Sequence, residues 1–450
     1  GAPSRAVRSA RGPSGAPYPA LVRELTAQLS RALQRTAFAF ARERTSAEVP
    51  AWQGMGRREM LRSVREVDVA LGEVCDDYDF LLAVTPVDAL EAWKKFEAAG
   101  FDAEPEFRYR PLTTDPELLL RRLYAVPLEE IEDPTLSRLF REKLREVGRE
   151  LTMLAERNTH RFLPGSLRLY GGVEPDLRRL ADDLLAALDE SGGRSDGPER
   201  DEPRSIDAVE FVRLAREQFD GYREQHAGFE ADFEIRDDIS GLMVSRGTLL
   251  VDRSLALTPT RARALLHHEV GTHVVSWVNG RGQPLSIFRT GLAGYEVLQE
   301  GLAVLSEYLA GGLTHERLRL LAARVVGVDR MLDGCSFVRI FTELVDGCGL
   351  EPHVAFTATM RVTRAGGLTK DAVYLRGLNE AVGYLEDGGD PVLPFIGKIA
   401  LQHMPVVEEL LHRGVLRDPP LRPACLDLPG AEERLAALRR GTSIVEMVAT

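Results

Sequence analysis

Two histidines bracket a glutamate in His268-Glu269-Val270-Gly271-Thr272-His273, and an acidic run, Gln299-Glu300-Gly301-Leu302-Ala303, lies downstream. A neutral imidazole is the commonest protein ligand for zinc. A hydrolytic zinc site needs three protein ligands, an open coordination position and a nearby base. His268, His273 and Glu300 are of the right types to be the ligands, and Glu269 to be the base. Three of the chain's nine histidines fall within seven residues here, around an embedded carboxylate. That concentration favours a metal over a chance cluster of core or surface histidines.

The spacing sets a geometric condition. Histidines four residues apart, as in His-Glu-x-x-His, share a helix face. Five residues correspond to about 140° of rotation, against about 40° for four, so a regular helix would splay the two rings. A π-bulge absorbs one extra residue and is common at functional sites. A loosening at Gly271 is the other way to bring the rings together. His267 and His273, six apart, fit little better, so His268 is preferred and His267 is left as a flanking group.

The elements around these residues can be read coarsely. A helical pattern covers Pro19 to about Arg44, and apolar residues recur at helical spacing through residues 56 to 94. Asp115-Pro116 opens a further helix, and the longest runs from about Pro134 to Arg157. The acids and bases of that last helix, three and four apart, read as a solvated face. Phe233 and Ile235 mark a strand, and the apolar runs on either side of Arg246-Gly247 mark a hairpin. Thr258-Pro259 then caps the helix that carries the histidines. The expected fold class is α+β, mainly helical. A small β-sheet precedes the metal-binding helix of a zincin-like core.

The expected organisation is a disordered tail at 1–17, a helical N-terminal region at 18–190 and a flexible linker or loop at 191–205. A catalytic domain at 206–425 and a C-terminal helix and tail at 426–450 follow. The linker is polar and rich in Gly and Pro. A net charge of -12 argues against general nucleic-acid binding. No run of about 18 apolar residues exists to cross a membrane. Four scattered cysteines, Cys75, Cys335, Cys348 and Cys425, fit a cytoplasmic protein with free thiols.

Further elements carry a family resemblance. After the histidine motif come Asn279-Gly280, Gln283-Pro284-Leu285, the Gln-Glu-Gly-Leu-Ala run, Lys370-Asp371-Ala372-Val373-Tyr374-Leu375-Arg376-Gly377 and Ile396-Gly397-Lys398. In this order they resemble a family of zinc peptidases. Its bacterial members, the flavohaemoglobin expression-modulating proteins, take a name from the QEGLA motif. Its eukaryotic members, the microtubule-associated tyrosine carboxypeptidases, remove the C-terminal tyrosine of α-tubulin. The resemblance covers about residues 55 to 415. It implies one zinc ion held by His268, His273 and Glu300, with Glu269 as the catalytic glutamate, and it selects His268 over His267. Between the histidines and the glutamate the tubulin-acting members carry a lysine- and arginine-rich stretch, whereas this chain has Ser286 to Tyr295.

The implied activity is removal of a C-terminal residue from a peptide or protein. Tyr374 is the candidate donor to the developing oxyanion. Arg376, Arg289, Lys370 and Lys398 are the candidates to hold the substrate's carboxylate, because each lies in or beside a recognised element. Glu296 competes with Glu300 as a ligand, and Glu307 is placed to orient a ligand histidine. The rival readings are a zinc aminopeptidase or endopeptidase, and a non-catalytic regulatory protein. A basic pocket near Tyr374 would favour the carboxypeptidase, and an acidic one the aminopeptidase.

Overall fold

The computed structural model describes residues 18–45, 49, 51–56, 61–191 and 205–449. The expected tail at 1–17 and nearly all of the expected linker at 191–205 lie outside these residues. The longer helices are labelled α1 (Pro19–Arg44), α2 (Arg62–Asp76), α3 (Pro134–Ala155), α4 (Phe162–Tyr170), α5 (Pro175–Glu190), α6 (Ala208–Gln225), α7 (Pro259–His268) and α8 (Val275–Arg281). They continue as α9 (Tyr295–Leu309), α10 (His315–Leu332), α11 (Pro352–Thr363), α12 (Val373–Glu386), α13 (Met404–His412) and α14 (Ala431–Arg439). Small sheets complete a mainly helical α+β fold.

Local chemistry accounts for the helix starts. Asp133 accepts hydrogen bonds from the amides of Thr135 and Leu136, with Pro134 in the first turn of α3. Thr258 caps α7 through the amide of Arg261, with Pro259 behind it. One hydrophobic cluster gathers residues from both sides of the 191–205 stretch, including Leu71, Phe140, Leu184, Phe211, Leu302 and Leu410.

Strands β1 (Ile206–Asp207), β2 (Asp232–Arg236), β3 (Leu242–Ser245), β4 (Thr248–Asp252) and β5 (Ala256–Leu257) precede α7. β4 is the centre of a three-stranded sheet, parallel to β2 and antiparallel to β3. β1 and β5 form a separate antiparallel pair. The β3–β4 hairpin turns on Arg246 (φ 51°) and Gly247 (φ 81°), two left-handed residues in succession, as a tight two-residue turn requires.

The solvated face expected for α3 is present at Arg138, Arg145 and Arg149 but accounts for only part of the helix's charge. Lys143 and Glu146 are buried and paired at 3.0 Å, and the half-buried Glu150 accepts from the Tyr78 hydroxyl. The helix packs on one side against α2, α4 and neighbouring elements, so one row of its charged residues points inward. Spacing alone does not distinguish a buried ion pair from an exposed one.

Two glycines fix the crossing of α9 and α12. A Cβ on Gly301 would lie 2.1 Å from the carbonyl carbon of Gly377, and one on Gly377 would lie 1.9 Å from the Val297 carbonyl oxygen. The backbones touch because neither position carries a side chain. This contact brings the start of α12 against the glutamates of α9.

Candidate active site

The extra residue between the histidines is absorbed as the spacing required. α7 passes into a π-helical turn, Glu269–Val274, and then into α8. The wider turn brings the His268 and His273 rings to 5.2 Å between centroids. From α9, Glu300 Oε2 approaches His273 Nε2 at 3.7 Å and His268 Nε2 at 3.9 Å. The three ligand atoms all lie within 4.8 Å of one another. Ligands about 2.1 Å from a tetrahedral ion stand roughly 3.4 Å apart, so the triad has the scale of a zinc site.

The polar atoms around the triad are committed in a way that leaves three donors facing one point. The His268 Nδ1 lies 2.7 Å from Glu307 Oε1, which assigns its proton to that side and leaves Nε2 as the donor atom. Glu307 is fully buried, and its second oxygen binds Arg261 and Arg317. Burial alone would raise its carboxyl, but Arg261 and Arg317 outweigh that and hold it well below the ordinary range. Lys370 Nζ donates to Glu300 Oε1 at 2.8 Å, whereas Oε2 is buried with no hydrogen-bond partner among the described residues. Burial likewise opposes ionisation of Glu300, and the charge and hydrogen bond of the Lys370 ammonium are the chief influence that holds it ionised. Burial pushes the His273 imidazole down to about 3, which keeps it neutral and able to bind a metal. An unsatisfied buried carboxylate oxygen opposite two imidazole nitrogens is what a divalent cation would complete.

Glu269 is buried beside the triad, its Oε1 3.9 Å from His268 Nε2. Burial, reinforced by Glu300 and Glu307, pushes its carboxyl up to about 7. His267 does not join the cluster. Its Nδ1 is buried without a partner, and burial pushes the ring down to about 4.

A cleft of about 120 Å³ opens over the triad. His268, Glu269, His273 and Glu300 form its floor, Leu81 and residues 242–244 of β3 one side, and Arg361, Arg364, Lys370 and Tyr374 another. Lys398 stands at the border with a second cavity of about 150 Å³. Tyr374, the expected oxyanion donor, reaches the cleft with its hydroxyl accepting from Arg361 Nη2 at 3.3 Å, so its own proton stays available.

The four expected carboxylate-binding cations divide. Lys370 lies in the cleft but is spent on Glu300 and, at 3.7 Å, on Glu296. Lys398 is half-buried, and burial, helped by Lys143, pushes its ammonium down to about 8. Arg289 lines the neighbouring cavity and makes a two-pronged bond to Asp76. Arg376 is outside the cleft, holding the carbonyls of Tyr170 and Gly172 and the carboxylate of Glu174. Arg376 and Arg289 thus turn to other partners, because a motif match fixes position along a chain but not the direction of a long side chain.

Sequence reasoning did not single out Arg361, Arg364 or Arg324. All three approach Asp371: Arg361 through a pair of 2.7 Å bonds and Arg324 at 3.6 Å. Arg324 also covers the Tyr374 ring at 4.8 Å. Arg361 and Arg364 could have been found by their proximity in sequence to the Lys370 to Gly377 element, a signal that Arg324 lacks.

The family model for microtubule-associated tyrosine carboxypeptidase matches residues 94–443, a span that includes both halves of the triad and the wall of the cleft. No curated protein matches the chain. The match covers well over half of the sequence, and the chain belongs to the microtubule-associated tyrosine carboxypeptidase family.

Proposed function

We propose that this protein is a zinc-dependent metallo-carboxypeptidase that removes the last residue of a peptide or protein. The observation that carries the reading is the convergence of His268 Nε2, His273 Nε2 and Glu300 Oε2 beside Glu269 in one cleft. Membership of a family described as tyrosine carboxypeptidases supports the exopeptidase form and an aromatic last residue. The cationic wall formed by Arg361, Arg364 and Lys370 supports it over an aminopeptidase, whose free amine would call for acids there.

His268, His273 and Glu300 would hold the zinc, which when bound polarises a carbonyl and acidifies water. Glu269 takes a proton from the attacking water and returns it to the leaving amine, and its raised affinity for a proton suits both halves of that task. The Tyr374 hydroxyl donates to the charge that develops on the scissile carbonyl oxygen. Lys370 positions Glu300, and Glu307 positions His268.

The test is zinc content together with C-terminal trimming, measured by mass on peptides varied at the last residue. Near-stoichiometric zinc in wild type and Glu269→Gln, with single-residue loss only in wild type, is the expected result. Failure to take up zinc when it is offered would remove the enzyme reading.

A further inference from the structure

We propose that Arg364, held beside Arg361, is the seat of the substrate's terminal carboxylate. The inference rests on the carboxypeptidase reading above and specifies which residue enforces it.

Charge balance is the first ground. Arg324, Arg361 and Arg364 gather around a single carboxylate, Asp371, and Arg361 takes both of its oxygens. The nearby acids are otherwise engaged: Glu300 and Glu296 by Lys370, and Glu307 by Arg261 and Arg317. The cluster therefore holds surplus guanidinium charge in a site shielded from water.

Partnering is the second. Arg364 is only 5 % exposed, yet the one hydrogen bond of its guanidinium among the described residues goes to a neutral group, the Thr85 hydroxyl, at 3.1 Å. Its Nε is buried with no partner at all. A buried guanidinium with no counter-charge is unfavourable, and arginine's planar fork matches a carboxylate. Burial, with Arg361 adding to it, lowers the Arg364 pKa to about 10, the sign of a cation short of an anion.

Backbone geometry is the third. Arg364 is followed by Ala365 (φ 57°), Gly366 (φ 108°) and Gly367 (φ 113°). The left-handed Ala365 is pinned from both sides: its amide donates to the Tyr109 hydroxyl and its carbonyl accepts from the Asn158 amide, each at 2.8 Å. A strained turn fixed by two distant elements is a means of holding one side chain in place. The guanidinium faces the same cleft as the triad, and Leu81, Leu242, Met243 and Val244 supply an apolar surface beside it. An anion seat, an apolar wall and a hydrolytic centre in one small cleft fit the last residue of a chain with an apolar or aromatic side chain.

The experiment separates binding from turnover. In zinc-loaded Glu269→Gln protein, calorimetry compares a hexapeptide ending in tyrosine as free acid with the same peptide as C-terminal amide. The acid is expected to bind about 10- to 100-fold more tightly, the range of a charge-assisted bond. Adding Arg364→Gln should abolish that preference while leaving amide binding unchanged, and Arg364→Lys should restore part of it. Thermal unfolding is the folding control: Arg364→Gln should match or exceed the parent in Tm, whereas a purely structural arginine would lower it. An acid preference that survives Arg364→Gln, or no preference in the parent, overturns the proposal. A wild-type enzyme that trims normally alongside either result would leave the carboxypeptidase reading intact.

Discussion

The two walls of the cleft handle buried charge in opposite ways. On the histidine side, from α7 through the π-turn to α9, nearly every polar atom has an assigned partner. Among the described residues, His267 Nδ1 and Glu300 Oε2 are buried without a hydrogen-bond partner there, and of these Glu300 Oε2 belongs to the triad. On the side formed by α10, α11 and the start of α12, cations outnumber the acids that could neutralise them, and the Arg364 Nε has no hydrogen-bond partner among the described residues. The first wall lacks a cation and the second lacks an anion. Buried charge that is left unbalanced is destabilising, so a persistent imbalance of fixed sign indicates the charge of what is bound there. Together the two walls support the proposed reading, a substrate carboxylate placed next to a metal.

The largest expected effect comes from separating catalysis from binding on the histidine wall. Glu269→Gln should lower the trimming rate by about 10²- to 10⁴-fold while zinc content stays near one per chain. Loss of zinc along with the activity would instead put Glu269 among the groups that hold the metal. Next comes Glu307→Gln, which leaves Arg261 and Arg317 buried without their common carboxylate. Zinc affinity should fall about 10- to 100-fold because His268 loses its orienting partner. Stability should fall by about 3 kcal/mol, since one member of a buried ionic group is removed. Competition with a chelating dye and denaturant unfolding measure the two effects, and an unchanged zinc affinity would sink the orienting role.

These walls differ in how far the sequence discloses them. The histidine wall is legible because its ligand types are rare, lie close together and carry a spacing with only a few helical solutions. The π-turn follows from the rotation that five residues impose. The glycines of α9 and α12 appear in recognised elements, but their reason, two backbones in contact, needs the third dimension. The arginine wall is hidden for another reason. Arg324, Arg361 and Arg364 look like ordinary helix charges until the carboxylates around them are counted in space. Lys370 was assigned to the right cleft, yet it turns towards Glu300, a choice set by an interaction across 70 positions. The acids and bases of α3 read as solvated because three- and four-residue spacing is the same whether the helix face is wet or dry.

That inner face of α3 offers a third way of holding charge, close to both walls, and a pH test of it. Burial, together with Glu146 and Glu296, overcomes the attraction of Lys143 and pushes the Glu150 carboxyl up to about 8. An unfolded glutamate titrates near about 4.3. Between those values the folded chain keeps a proton that the unfolded chain has released, so stability should fall as pH rises from about 4.3 to about 8 and level off above it. The loss at stake is several kcal/mol. Glu150→Gln keeps an acceptor for the Tyr78 hydroxyl and should flatten this slope, read as Tm against pH. A slope that is unchanged in the variant would place the titration in another group.

The smallest effect asks whether the surplus of charge, rather than arginine itself, defines the second wall. Arg376 lies in the same motif as Tyr374, but its guanidinium is fully occupied by the carbonyls of Tyr170 and Gly172 and by Glu174. It ties α12 to the end of α4, away from the cleft. Arg376→Gln should therefore cost about 1 kcal/mol of stability through the lost hydrogen bonds and leave the preference for a free carboxylate intact. Measured beside Arg364→Gln, the pair forms an opposed test: the arginine held by carbonyls and Glu174 is expected to change stability and spare recognition, the one with no carboxylate bonded to it to change recognition and spare stability. If Arg376→Gln instead removed the acid preference at unchanged Tm, the carboxylate seat would lie at the end of α4. The imbalance around Asp371 would then need a different ligand to explain it.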